Sequence, residues 1–508
     1  MIFHSILFNW DDLQKETAEQ PAYFSDLNLD QVVNAITAKK QEYNLKPFFY
    51  SPLQDAGTVR YRQDVLQDLG DGVLLANMKT FAEKMVLLRR YLAMAEKLDY
   101  NHHKKGWFLE AAIVYCEAVS ELTKNMLAAP VKSSGFLGLR EYLTSYVQTE
   151  DFKILSAETH KVKTALAGVK YSLIIKDNTV KVRKYEEESD YSLEVEKTFE
   201  KFKQGAVEDY RSVIKDTPGM NHVGAQILEF VALLHPEPFA ALDRFCERHA
   251  QFVAETLRVF EREIQFYIAF LDYIDHFKDK GLTFCSPQID ENREVFVSEG
   301  FDIALAGTLL FTQTPVICND FVLHDPERVL VVTGPNQGGK TTFARTFGQL
   351  HYLASLGCLV PGRQARLHLF DQIFTHFERE EEIHNLAGKL QDDLLRIHAI
   401  TEQATPESIL ILNEIFSSTA LKDAVFLSRQ IMARVLELDL RCVWVTFMDE
   451  MASINEKTVS MVSTVVPENP AERTFKIIRK PADGLAYAHS LAEKHALNYE
   501  QIKERIRS

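Results

Sequence analysis

The run Gly334, Pro335, Asn336, Gln337, Gly338, Gly339, Lys340, Thr341 fits the pattern G-x4-G-K-[ST] and constrains the fold more than any other stretch of this 508-residue chain. It follows an apolar run at 329–332 and opens an apolar-periodic stretch at 342–356, which predicts strand, tight loop and helix in succession. Glycines let consecutive backbone N–H groups turn inward around a phosphate, and the helix N-terminus adds its partial positive charge. The loop, continued by Thr342, is therefore expected to hold ATP. Lys340 is expected to reach the β- and γ-phosphates, and the Thr341 hydroxyl to face Mg²⁺.

A second apolar run at 409–412 ends in Asn413 and Glu414. In P-loop ATPases such a strand end carries an aspartate for the Mg²⁺ shell and then a glutamate that polarises the attacking water. Glu414 is thus expected to be catalytic together with Lys340. Asn413 is neutral, so it is expected to meet Mg²⁺ through a bound water and to add no charge. With a third apolar run at 442–445 and helical stretches between the runs, residues 301–508 read as an α/β P-loop NTPase domain of ABC-like type.

Residues 1–300 have a different texture. Apolar spacing of three and four predicts helices at 32–43, 59–69, 73–98 and 107–128, and one helix running from Pro238 to about Lys280. At 1.5 Å per residue that last helix would be a strut about 60 Å long. β-branched and aromatic residues at 171–175 and 179–185 flank a Lys-Asp-Asn turn and predict a hairpin, the core of a small β insertion at about 155–190. The fold class is mixed: an all-α domain with a β insertion, then the α/β domain.

With 57 Lys and Arg against 72 Asp and Glu, the net charge of −15 argues against a protein that coats nucleic acid indiscriminately. The insertion is the local exception, with Lys161, Lys163, Lys170, Lys176, Lys181, Arg183 and Lys184 against Asp177. Lys176, Lys181, Arg183 and Lys184 are the candidate DNA contacts; a plain solvated face is the alternative. The six cysteines form no CxxC pair, and neither disulfides nor zinc are expected. No apolar stretch approaches a membrane span and no secretory signal opens the chain, so a cytoplasmic protein with no membrane contact is expected.

The motifs resemble those of the MutS family of ATPases, known for DNA mismatch repair. TGPNQGGKTT is similar to that family's TGPNMGGKST, and ILILNEIFSSTALKDA at 409–424 to its LVLMDEIGRGTSTYDG. Residues 315–319 (PVICN) resemble a PFIAN segment beside the adenine, which makes Val316 and Asn319 nucleotide-binding candidates. FFYSPLQDAGTVRYRQDVLQDL at 48–69 resembles the start of the family's lever, and EREIQFYIAFLDYI at 261–274 its long descending helix. The resemblance implies a homodimer through the ATPase domain. It would couple ATP binding and slow hydrolysis to double-stranded or branched DNA through a lever and a short clamp. Since the resemblance reaches back to about residue 24, it also implies no mismatch-reading or connector domain. Departures from the family pattern are Asn413 for aspartate, Phe447 for a histidine, Val316 for an aromatic, and residues 385–390 (NLAGKL) for a serine-bearing signature loop, where Lys389 could supply a charge. They leave open a catalytically weak nucleotide switch or scaffold that works through protein partners without DNA.

Overall fold

Helix boundaries follow local chemistry. Asp71 precedes the helix Gly72–Lys97 and accepts from the Val73 N–H at 3.0 Å, and Thr149 accepts from the Phe152 N–H at 3.3 Å ahead of Glu150–Ala167. Both bonds satisfy a backbone donor that the first helical turn leaves without a partner. The computed structural model describes residues 3–9, 16–177, 179–187, 220–289, 293–312, 314–378, 389–417, 419–482 and 503. They fall into two units: residues 1–3, 70–132 and 136–261 in the first, and 4–69, 133–135 and 262–508 in the second. Among the described residues no helix is long and apolar enough to cross a membrane.

In the first unit, Gly72–Lys97 and Asn101–Ala128 pack along each other as a long helical hairpin. Strands Tyr171–Lys176 and Thr179–Lys184 pair antiparallel, with Tyr171 opposite Lys184 and Lys176 opposite Thr179. Val182 of this hairpin packs on a small core of Val231, Ala232 and Phe239. The stretch expected as one strut is two helices, Pro236–Arg248 and Glu255–Lys278. Between them Phe252 inserts against Phe108 and Tyr115, with centroids 5.3 and 5.5 Å away, and the Ala254 N–H donates to the Tyr115 hydroxyl at 3.0 Å. The break thus exchanges helical bonds for a buried aromatic cluster, and the second helix is about 36 Å long.

The second unit is built on a six-stranded sheet ordered Ile373–Phe377, Ile409–Asn413, Arg441–Val445, Val329–Thr333, Thr458–Val466, Asn469–Arg479. The first five strands are parallel and the last is antiparallel to its neighbour. Ile409–Asn413, Arg441–Val445 and Val329–Thr333 are buried throughout, as expected of central strands covered on both faces. Asn413 pairs with Val445 and Val445 with Val332, so three strands end level with one another. In open α/β sheets ligands bind at such carboxyl ends. The helix Lys340–Ser355 is buried over nearly its whole length. Residues near the N-terminus cover part of it: Gln349 donates to the Leu27 carbonyl at 2.9 Å, and the Tyr352 hydroxyl to that of Phe49 at 2.6 Å.

Candidate nucleotide site

The loop leaves the central strand Val329–Thr333 at Gly334, whose φ of +115° lies where side chains are rarely tolerated. A Cβ at Gly334 would also lie 2.8 Å from the Ser463 carbonyl oxygen, and one at Gly338 would strike the Ser463 hydroxyl. That hydroxyl donates to the Gly338 carbonyl at 2.7 Å and is fully buried. Ser463 therefore braces the glycines from the neighbouring strand, and close backbone approach as well as torsion demands the missing side chains.

Lys340 is buried, and its Nζ donates to the Gly334 and Pro335 carbonyls, each at 3.1 Å. Glu414 lies 3.6 Å from the same Nζ. Burial pulls the Lys340 pKa below its ordinary value, opposed by Glu414 and assisted by the positive charge of Arg473. Glu414 holds a φ of 52°, with its backbone N–H bonded to the Val445 carbonyl at 2.9 Å. A non-glycine residue in that region is strained, and the buried Ile415 and Phe416 that follow anchor the turn.

The Thr341 hydroxyl donates to Asn413 Oδ1 at 2.9 Å. These are the two residues expected beside Mg²⁺, and the fold brings them together. As ligands they offer two neutral oxygens, and the adjacent carboxylate, Glu414, is paired with Lys340. Mg²⁺ is normally held by one or two carboxylates besides phosphate oxygens. This set does not fit a protein-held divalent ion well.

Asn319, a nucleotide-binding candidate, is bonded to the backbone of the edge strand. Its side chain accepts from the Ile477 N–H at 2.8 Å and donates to the Phe475 carbonyl at 3.3 Å, fixing the edge strand Asn469–Arg479. Val316 is half-buried in the irregular segment before Asn319–Leu323. The edge strand brings two residues that sequence reading missed. Arg473 donates through Nε to the Asn336 carbonyl at 3.2 Å. Phe475, at φ 57° and about half exposed, stands 3.7 Å from where a Cβ at Gly339 would be.

Residues 385–388 of the signature-like stretch lie outside the described residues. Lys389 pairs with Glu378, which also accepts from the Ser417 hydroxyl at 3.0 Å, so its charge is engaged close to the turn that follows Glu414. In the separate hairpin, Lys176, Lys181 and Arg183 share one face with Ser172, Ile174 and Thr179, while Lys184 lies on the other with Leu173, Ile175 and Val180. All four basic residues are exposed, and so are Leu173, Ile175 and Val180.

Residues 330–496 match the family model described as MutS domain V. Over those residues the chain is similar to the MutS family. Relatives include the DNA mismatch repair protein MutS of Halalkalibacterium halodurans, 24% identical over 43% of this chain and 25% of that protein. MutS of Chlorobaculum tepidum is 25% identical over 43% of this chain and 25% of its own length. The mouse DNA mismatch repair protein Msh3 is 28% identical over 28% of this chain and 13% of its own length. The matched part of the chain thus spans about a quarter or less of these relatives.

Proposed function

We propose that this MutS-like protein binds ATP on residues 334–342, hydrolyses it slowly, and couples the nucleotide state to DNA binding. The observation that carries the reading is the convergence of Lys340, Thr341, Asn413 and Glu414 at the level ends of three parallel strands. ATP phosphates replace the Gly334 and Pro335 carbonyls as partners of Lys340, exchanging two neutral acceptors for anionic ones. Separated from Lys340, Glu414 is positioned to orient a water for in-line attack on the γ-phosphate. The second subunit completes the site in a two-fold dimer formed through the ATPase domain, residues 301–508, and the helical part acts as the lever. DNA meets the Lys176, Lys181 and Arg183 face of the hairpin, in keeping with the mismatch-repair names of the relatives.

Equilibrium dialysis tests the site: Lys340→Ala is expected to lose ATP binding, and Glu414→Gln to keep it while losing phosphate release. Unchanged affinity in Lys340→Ala removes the phosphate-loop assignment. One observation favours a second reading, a nucleotide-dependent scaffold without DNA. The exposed Leu173, Ile175 and Val180 on the hairpin's other face suit a protein partner better than phosphates.

A further inference from the structure

Three features of the loop's surroundings share one electrostatic consequence. Position 413 contributes an amide in place of a carboxylate, and its oxygen already accepts from the Thr341 hydroxyl at 2.9 Å. Glu414 is the acid beside Lys340, and it stands 3.6 Å from that ammonium. Arg473 brings a second cation to the loop, its Nε on the Asn336 carbonyl.

Arg473 belongs to a fixed frame. Its strand is pinned by both ends of the Asn319 amide, by pairing of Val462 with Ile478, and by the approach of the Thr464 and Thr474 hydroxyls to 2.6 Å. The partner strand, Thr458–Val466, also supplies the Ser463 brace on Gly338. One sheet edge therefore sets both the shape of the loop and the place of the guanidinium. A guanidinium presents five donors in a planar fork that matches phosphate geometry, and one bond from Nε orients that plane beside the loop.

A triphosphate needs positive charge wherever it binds. Where a metal-shell carboxylate is present, a divalent ion must neutralise that carboxylate as well as the phosphates. Here that carboxylate is missing and a fixed cation is present. We propose that Arg473 is a second phosphate-binding cation of this site and that ATP binding consequently depends little on Mg²⁺. The inference rests on the loop being an ATP site, and the experiment separates the two.

Isothermal titration of the full-length chain with ATP, in excess Mg²⁺ and in excess EDTA, is expected to give dissociation constants within about threefold of each other. Arg473→Gln is expected to weaken binding in EDTA by about tenfold or more, equivalent to about 1.4 kcal/mol, and by less than about threefold in Mg²⁺. Arg473→Lys is expected to recover part of the loss in EDTA. If the parent loses more than about tenfold in EDTA, the inference is overturned. Equal losses by Arg473→Gln in both buffers also overturn it, because an arginine that merely holds the Asn336 carbonyl would act without regard to the metal. Failure of ATP to bind in either buffer removes the ATP-site reading itself.

Discussion

Asn413→Asp tests the charge logic of the site most directly. The substituted oxygen would lie 2.9 Å from the Thr341 hydroxyl, at a position only 8% exposed in the parent. Without a divalent ion the new carboxylate would stand next in sequence to Glu414, which already holds the Lys340 ammonium at 3.6 Å. Burying a carboxylate under those conditions destabilises the unliganded protein, by more than the roughly 1–3 kcal/mol that an unsatisfied neutral group costs. With Mg²⁺ and ATP the sign reverses. A unit charge pair at about 4 Å contributes about 4 kcal/mol at an effective dielectric constant near 20, and repulsion from the phosphates offsets about half. The remaining ~2 kcal/mol corresponds to about a 30-fold stronger dependence of ATP affinity on Mg²⁺. Better placement of the reacting groups should also raise Mg²⁺-dependent hydrolysis, since an error of about 1 Å can cost on the order of 100-fold in rate. The assay is ATP affinity and single-turnover phosphate release across a Mg²⁺ series. An unchanged half-saturating Mg²⁺ concentration refutes the electrostatic argument. If Asn413→Asp gains no hydrolysis, and the parent and Glu414→Gln share one background rate, the protein is a nucleotide switch without turnover.

Three further substitutions probe other parts of the chain. Gly338→Ala drives a Cβ onto the Ser463 hydroxyl and to 3.0 Å from the Pro335 carbonyl, so it should cost about 1–3 kcal/mol and weaken ATP binding in calorimetry; parent-like affinity would show that the brace is not needed. Glu263 is buried, accepts from the Ile6 N–H at 2.8 Å and the Ser5 hydroxyl at 2.9 Å, and has its pKa pushed up by burial to about 7. Because the folded state then binds the proton more tightly than the unfolded one, stability is greatest below the ordinary carboxyl pKa and falls as pH rises through about 7, by about 2.5 kcal/mol between pH 5 and pH 8. Glu263→Gln should flatten the pH dependence of the denaturation midpoint, and an equally steep profile in the variant would assign the slope to other groups. A Lys181→Glu, Arg183→Glu double variant should reduce the slope of log K for duplex DNA against log salt by about 0.9 for each phosphate no longer neutralised. DNA affinity equal to the parent's would favour the scaffold reading.

What the sequence reveals and what it hides divide along the range of the interactions. The strand, loop and helix around Lys340 are legible because each is specified locally: an apolar run, glycines at positions where a Cβ collides, and a periodic helix. The hairpin at 171–184 is legible for the same reason. The strut misleads because apolar spacing continues through its break. Phe252 and Val253 keep the helical rhythm, while the energy that ends the first helix comes from Phe108 and Tyr115, more than a hundred positions earlier in the chain.

The same distinction explains why the loop's supports are hidden in the sequence. Ser463, Arg473 and Phe475 follow the loop at 334–341 by more than a hundred residues and belong to no local pattern. They reach the loop because Thr458–Val466 pairs directly with the loop's own strand, and Asn469–Arg479 pairs with Thr458–Val466. Asn319 shows how sequence position and role can separate. The segment in which it lies points to the base, yet its amide is spent on the backbone on either side of Lys476. That amide therefore helps hold the strand that carries Arg473 and Phe475. If Arg473 binds phosphate as proposed, loss of that amide should weaken ATP binding by releasing the strand that places the guanidinium.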